Sequence, residues 1–193
     1  MTHLQNLLNE INELQERVSE EISREAEKLG YSVHNGRVQF EEQIKHRHHQ
    51  MAMSLRSYLA TSRWLVIFTA PIVYSLLLPM LLLDLGVSIY QRLCFPLYRI
   101  PRVTRRDYFI YDRQQLKYLN LIERIHFSYC SYGNGLLGYA TEIAARTEQY
   151  WCPIKHAKRN KTPHSRYYHF LSYGDAEDYE NKLQALRKKF DDC

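Results

Sequence analysis

Apolar residues recur every three or four positions along the first thirty residues of the chain. They are Leu4, Leu7, Leu8, Ile11, Leu14, Val18, Ile22, Ala26 and Leu29. This spacing predicts an amphipathic helix over residues 3–29, with Thr2 as its N-cap and Gly30 as its stop. The helix either forms a coiled coil that makes the protein a homo-oligomer through residues 3–29, or folds back on the helix that follows.

A hairpin signal follows the first helix. Asn35-Gly36 lies between two short runs of β-branched and aromatic residues, Tyr31 to Val33 and Val38 to Phe40. This dipeptide is typical of a two-residue β-hairpin, although it also fits a helix–helix connection. Residues 41–62 then predict a second helix, whose histidines form a polar juxtamembrane face or, less favoured, bind a metal. These histidines are His46, His48 and His49.

The strongest pattern is an uncharged stretch in the middle of the chain. Only Asp84 is charged between Arg63 and Arg92, and the 20 residues from Trp64 to Leu83 carry no charge at all. Because a helix rises about 1.5 Å per residue, these residues span roughly the 30 Å of a bilayer's hydrocarbon core. The stretch begins too far along the chain for a signal peptide. It therefore predicts a membrane segment.

Several residues of this segment bear on how it crosses the membrane. Proline at positions 71 and 79 would kink a helix, and aromatic residues at its ends would anchor it at the interfaces. The predicted anchor residues are Trp64, Pro71, Pro79, Asp84 and Tyr90. Basic residues flank both ends, so the segment is either a hairpin that turns near Pro79 or at Asp84–Gly86, which we favour, or one tilted span.

Charge is distributed unevenly around the membrane segment. Residues 1–63 have a net charge of −1, whereas residues 91–193 have 18 Lys and Arg against 11 Asp and Glu, a net of +7. Basic regions beside a membrane segment lie on the cytoplasmic side. We therefore expect a membrane protein whose C-terminal domain is cytoplasmic. The 16 tyrosines are interpreted as core and interfacial side chains, which makes a nucleic-acid partner the disfavoured interpretation.

The C-terminal region predicts a small helical domain with at most a short strand. The strand, or an extended segment, is expected over Arg106–Asp112, followed by a helix that Asp112 caps. Gly133-Asn-Gly135 is expected to break that helix, and a second helix to run from Leu136 to about Tyr150. A basic loop over residues 157–166 and a last helix from Asp175 towards Phe190 complete the domain.

The cysteines and histidines of this domain are the candidate chemistry. Pro153 at a first helical position would leave Cys152 at a helix N-terminus, and His156 follows one turn later. Three interpretations stay open. The first is a metal site for zinc, which prefers nitrogen and sulfur ligands, with Cys130, Cys152, His156 and His126 as ligands; the lack of a C-x-x-C pair weakens it. The second is a thiol nucleophile with His156 as its base and Glu148 or Asn134 as orienting partner. The third, which we favour, is simple packing.

The stretch from Phe95 to His156 resembles a group of uncharacterised bacterial membrane proteins. The resemblance covers about a third of the chain and rests on two motifs, Tyr129-Cys-Ser-Tyr-Gly-Asn-Gly135 and the run from Glu142 to His156 that ends in Gln-Tyr-Trp-Cys-Pro-Ile-Lys-His. Relatives in that group often carry a further cysteine where this chain has Phe127, which weakens the metal interpretation. The resemblance implies that the membrane is the bacterial inner (cytoplasmic) membrane, and it implies no activity, substrate or cofactor.

These patterns together predict a mostly α, membrane-anchored protein in three parts. Residues 1–62 form an amphipathic or coiled-coil-like helical region, residues 63–100 the membrane segment and residues 101–193 the basic cytoplasmic domain. Phosphate-binding loops, the H-E-x-x-H motif and the G-x-S-x-G motif do not occur in the sequence, which disfavours an enzyme. The leading expectation is an interaction or scaffold protein with the lipid bilayer as partner. The alternative is a metal- or redox-responsive module that uses Cys130, Cys152 and His156.

Overall fold

The first of two compact units contains residues 1–61 and 112–127. The computed structural model describes residues 3–34, 37–51 and 64–190. Helix α1 covers His3–Lys28, which confirms the predicted N-terminal helix. The chain leaves it through Gly30, whose φ of +67° lies in the left-handed region that glycine adopts without steric cost. Gly30 is therefore the helix stop that the sequence predicts.

The predicted hairpin is confirmed by two antiparallel strands. Strand β1 covers Tyr31–His34 and strand β2 covers Arg37–Phe40, with Tyr31 opposite Phe40 and Val33 opposite Val38. Residues 35–36, which carry the turn signal, lie outside the described residues. Helix α2 then covers Glu42–Gln50, so the expected second helix is present over its first part, whereas residues 52–63 are not described.

Most of the apolar stripe of α1 is exposed. Leu7, Ile11, Leu14, Val18, Ile22 and Leu29 each keep between 43% and 59% of their surface exposed. The described part of α2, Glu42–Gln50, therefore leaves these six residues exposed, and residues 52–63 of the predicted second helix lie outside the described residues. Among the apolar residues of α1, Ala26 is buried.

The second compact unit contains residues 62–111 and 128–193 and begins with the apolar helix. Helix α3 covers Trp64–Ser75 and helix α4 covers Leu77–Tyr98. Phe68–Tyr98 is long and apolar enough to cross a membrane, with a mean hydropathy of 2.1, and no part of its most apolar window is buried inside the protein. The exposed apolar surface distinguishes it from the core helix of a soluble domain.

The favoured hairpin turn is not formed at either predicted place. Helix α4 runs without a break through Pro79, Asp84 and Gly86. Pro79 is the third residue of α4, where a backbone N–H has no helical acceptor and its loss costs little. Its ring instead conflicts with the carbonyl group four residues earlier, at Ser75, which is where α3 ends.

Helix α5 covers Leu121–Trp151 without interruption, so the predicted break at Gly133-Asn-Gly135 is wrong. These glycines serve close packing. A Cβ atom on Gly133 would lie 3.4 Å from the Cε atom of Met80, and one on Gly135 would lie 2.7 Å from the carbonyl oxygen of Tyr108. The missing side chains therefore allow α4 and the chain at Tyr108 to approach the backbone of α5.

The start of α5 also differs from the prediction. Asn120 and Glu123 form a capping box, in which the Asn120 side chain accepts from the Glu123 N–H at 3.0 Å and the Glu123 side chain accepts from the Asn120 N–H at 2.9 Å. This reciprocal pair satisfies two N–H groups and fixes the first turn. Asp112, the predicted cap, instead begins a short 3₁₀ helix over Asp112–Gln115.

The remaining segments of the second unit are short. The strand expected over residues 106–112 is absent: a 3₁₀ turn covers Arg105–Asp107, because the Asp107 and Tyr108 N–H groups bond to carbonyls three residues back. A 3₁₀ helix covers Ser165–His169, and helix α6 covers Tyr179–Leu186, shorter at both ends than predicted. The core of the unit is formed by Phe95, Ile100, Val103, Tyr139, Ile143 and Phe190.

The glycine packing gives a first prediction. Gly135→Ala should lower the free energy of unfolding by on the order of 1–3 kcal/mol, because the new methyl group must displace backbone at Tyr108. Gly86→Ala is the matched control, since nothing lies within 4 Å of that Cβ position and alanine is the better helix former. Thermal unfolding of the detergent-solubilised protein measures both. Equal midpoints for the two variants would contradict the packing role of Gly135.

Candidate functional site

The predicted cysteine and histidine site is not assembled within one chain. Cys130 lies exposed on α5 and Cys152 follows the last residue of that same continuous helix. At about 1.5 Å per residue, the helix separates the two by roughly 30 Å. His126 lies on the part of α5 that belongs to the first unit. Within the described ranges, no three His, Cys, Asp or Glu side chains form a group that could hold a metal ion.

Cys152 also lacks the surroundings of an activated thiol. It follows a helix C-terminus rather than preceding an N-terminus, and a short parallel bridge between Ile154 and Leu171 takes the place of the helix expected after Pro153. Burial, followed by the nearby Glu148 carboxylate, raises the pKa of the Cys152 thiol. His156 stacks on the Tyr167 ring, with 6.1 Å between the centroids. These surroundings favour the neutral thiol.

The contacts of Asp84 form the most distinctive polar site of the second unit. Arg105 binds both carboxylate oxygens of Asp84, and its Nη2 atom lies 2.6 Å from Oδ2. The Tyr132 hydroxyl donates to Oδ2 at 2.9 Å, and the Ser88 hydroxyl donates to Oδ1 at 3.3 Å. The side chain of Asp84 is only 13% exposed. The single acidic group of the apolar helix is thus neutralised by a two-point guanidinium contact.

Aromatic rings hold Arg105 in position over Asp84. The guanidinium carbon lies 4.0 Å from the centroid of the Phe109 ring and 5.7 Å from that of Tyr139. Such cation–π contacts orient the planar group while it pairs with the carboxylate. The site therefore joins α4, the chain at residues 105–109 and α5.

A second polar contact lies two turns along α4. Gln91 is buried, and its amide donates to the Tyr139 hydroxyl at 2.6 Å. Its side-chain oxygen accepts the Val103 N–H at 2.7 Å. Both ends of the amide are therefore satisfied, which a buried polar side chain requires. Like the Asp84 site, this contact joins α4, the chain that follows α4, and α5.

The predicted membrane-anchor residues take different positions. Trp64 and Pro71 lie on α3, and the side chain of Trp64 is outside the described part of the chain. Pro79 is the third residue of α4. The Tyr90 hydroxyl lies 3.1 Å from the Thr147 hydroxyl, so this side chain is used inside the unit.

Two arginines share one buried carboxylate further along α5. The Glu142 Oε1 atom accepts from Arg146 Nε at 2.7 Å and from Arg166 Nε at 3.0 Å. Arg166 also donates to the Gln149 side-chain oxygen at 2.9 Å, and the amide of Gln149 donates to the Leu186 carbonyl at 3.0 Å. This cluster joins α5 to the 3₁₀ helix at Ser165–His169 and to α6. Sequence reasoning missed it, although Glu142 and Gln149 are seven residues apart and hence on one helix face.

A second, partly buried pair lies beside this cluster. The His164 Nε2 atom lies 2.9 Å from the Glu148 Oε2 atom, and the imidazole packs against the Phe170 ring. Glu148, which the sequence offers as an orienting partner beside His156 in the nucleophile interpretation, thus contacts His164 instead.

No protein-family model, curated protein or solved structure matches this chain. The resemblance of Phe95 to His156 to bacterial membrane proteins therefore stays a prediction. The motif residues themselves have clear positions: Tyr132, Gly133 and Gly135 line the contact with α4 and Tyr108, and Glu142 and Gln149 belong to the arginine cluster. Their contacts hold segments of the unit together.

The shared carboxylate gives a second prediction. Glu142→Gln should lower the free energy of unfolding by about 3–5 kcal/mol, because two guanidinium groups lose their counter-charge in a buried place. Arg146→Gln is the matched control and should cost less, since Arg166 keeps its carboxylate. Unfolding midpoints in detergent measure the difference. A larger loss for Arg146→Gln than for Glu142→Gln would contradict the central position of Glu142.

Proposed function

We propose that this protein is a membrane-anchored interaction or scaffold protein at the cytoplasmic face of a bacterial membrane. The observation that supports this most is the exposed apolar surface of Phe68–Tyr98. Leu78, Leu82, Leu85, Ile89, Leu93 and Leu97 recur along one line of α4 and remain between 48% and 77% exposed. Exposure of such a surface to water is unfavourable, whereas its contact with the hydrocarbon of a bilayer is favourable.

The distribution of charge supports a cytoplasmic C-terminal region. Residues 91–193 have a net charge of +7, and basic residues close to a membrane segment favour the cytoplasmic side. The lone acidic residue of the apolar helix, Asp84, meets Arg105 from this basic region. The buried ionic contacts at Asp84 and Glu142 support a scaffold role, because each one ties separate segments into a fixed surface.

The exposed stripe of α1 supports self-association as part of this function. The stripe extends along most of the 26-residue helix, and no other described element buries it. A second copy of the same helix would bury the stripe on both sides. We therefore propose that residues 3–29 make the protein a homo-oligomer, which would present several cytoplasmic domains at one membrane site.

The membrane proposal predicts resistance to extraction. The full chain should stay in the membrane fraction through a high-salt wash and an alkaline carbonate wash. Leu78→Arg with Leu82→Arg should release much of it, because each arginine at the centre of a span costs about 2.5–3.5 kcal/mol. Both positions are exposed, so the folded unit tolerates the change.

The control carries the same kind of change outside the apolar helix. Ile110→Arg with Tyr173→Arg places arginine at two apolar positions that are also exposed, and this variant should stay in the pellet. Recovery of the unaltered protein in the soluble fraction would refute membrane anchoring. Equal release of the two variants would refute the role of α4.

The oligomer proposal predicts a change of mass. Ile11→Asp with Val18→Asp introduces charges into the exposed stripe and should dissociate the oligomer, because buried unpaired carboxylates are unfavourable. Asn12→Asp with Ser19→Asp adds the same charges at neighbouring polar positions and should leave the mass unchanged. Light scattering of the detergent-solubilised protein measures the mass. An unaltered protein that is already monomeric would contradict the proposal.

A further inference from the structure

The two sides of α4 differ in character. The apolar line from Leu78 to Leu97 stays exposed along the helix. At about 3.6 residues per turn, Asp84, Gln91 and Phe95 lie on the opposite side of α4 from this line. These three side chains contact the rest of the second unit, through an ion pair, hydrogen bonds and the apolar core. Helix α4 therefore meets protein on one side and is exposed on the other.

The chain that follows α4 returns along the side that meets protein. The Val103 N–H donates to the Gln91 side chain at 2.7 Å, and the Arg105 Nη2 atom lies 2.6 Å from the Asp84 Oδ2 atom, seven residues earlier on the helix. Residues 99–120, all of them described, form only short 3₁₀ segments and turns. An irregular, mostly exposed chain thus runs back beside α4.

A helix that crossed the bilayer over Phe68–Tyr98 would bring this chain into the hydrocarbon. The midpoint of that candidate span lies one residue before Asp84, so the level of Asp84 would be the centre of the bilayer. The side chain of Arg105 is 46% exposed at this level, and Arg106 and Asp107, which follow it, are exposed. Charged side chains and irregular backbone in contact with lipid chains are strongly unfavourable. The crossing orientation is therefore disfavoured.

The segments before and after the apolar helix pack together within the first unit. His48 precedes that helix in the chain and Tyr118 follows it, yet the centroids of their rings lie 5.0 Å apart. The His48 ring also lies 5.3 Å from the Phe40 ring of strand β2. A single crossing would place these segments on opposite sides of the membrane. Their contact requires that both lie on the same side.

We propose that α4 lies in the plane of the membrane, with its apolar line in one leaflet and both flanking segments on the same side. This inference rests on the proposed membrane anchoring and adds to it the orientation of the helix. The partner surface is the boundary between headgroups and acyl chains, into which an in-plane helix sinks by about 5–10 Å. The side of α4 that carries Asp84 faces away from the hydrocarbon. Both flanks can then share one side of the membrane although α4 has no hairpin turn.

Spin labels along the apolar line can measure this orientation. The labels are attached to Leu82→Cys, Ile89→Cys or Leu97→Cys in a full chain whose native cysteines are replaced by alanine, in vesicles of phosphatidylcholine and phosphatidylglycerol. Collision rates with oxygen and with an aqueous nickel complex report the depth of each label. We expect one depth for all three positions. In a crossing helix, Leu97 would lie about 22 Å along the axis from Leu82, which is near the centre of the candidate span.

A label on the return chain is the matched control. Arg106→Cys is exposed and follows Arg105, which contacts Asp84. In the in-plane orientation this label should collide readily with the nickel complex, since it faces the aqueous side. In a crossing helix the same label would lie at the centre of the bilayer and be shielded from nickel, which would overturn the proposal.

Reporter fusions test the same inference on the chain with its native cysteines. Alkaline phosphatase is active only outside the cytoplasm, whereas green fluorescent protein fluoresces when it folds inside. Fused to residue 1 or to residue 193, green fluorescent protein should fluoresce in bacterial cells, and alkaline phosphatase should be inactive at both places. Active phosphatase at one of the two ends would overturn the shared side.

The outcomes separate this inference from the proposed function. Both orientations place Leu78 and Leu82 in contact with lipid, so the extraction experiment does not depend on the inference. A label at Leu82 that lies much deeper than the label at Leu97 would overturn the in-plane orientation and leave membrane anchoring intact. Free access of nickel to all three labels of the apolar line would refute the anchoring, and the inference with it.

Discussion

A carboxylate on a mostly apolar helix needs a cation beside it, and Asp84 has Arg105. The guanidinium contacts both carboxylate oxygens, while Tyr132 donates a further hydrogen bond. A charge that is removed from water without such partners would cost several kcal/mol. The pairing therefore constrains where the chain can go after α4: residues 105–109 must return along the helix, and α5 must present Tyr132 at the same level.

Other contacts of the second unit fit this constraint. Gly135 has no side chain where the chain at Tyr108 crosses α5, and the buried Gln91 bonds both to Tyr139 and to the Val103 N–H. Apolar packing around Phe95 and Ile143 then closes the core. The outward face of α4 receives no such cover, so one helix carries a polar face that organises the unit and an apolar face that fits a bilayer.

The sequence predicts best where local patterns determine structure. The helix of residues 3–29, the hairpin around Asn35-Gly36 and the long apolar helix follow from spacing and turn chemistry, which do not depend on distant residues. The glycines at 133 and 135 were misread because their role lies in what packs against them, a tertiary property. For the same reason the pairing of Asp84 with Arg105, 21 residues away, and of Glu142 with Arg166, 24 residues away, was not foreseen. Cys130 could join Cys152 only if the helix broke between them, and Cys152 could pair with His156 only if a helix began at Pro153; α5 and the bridge at Ile154 take both places.

The central claim is that Asp84 and Arg105 stabilise the unit as a pair. A double-mutant cycle with Asp84→Asn, Arg105→Gln and the double variant measures their coupling through the free energy of unfolding in detergent. Each single change should lower the free energy of unfolding. The double variant should lose less than the sum of the two single losses, with a coupling energy above about 1 kcal/mol. Additive effects, within about 0.3 kcal/mol, would show that the two side chains act independently and would contradict the account.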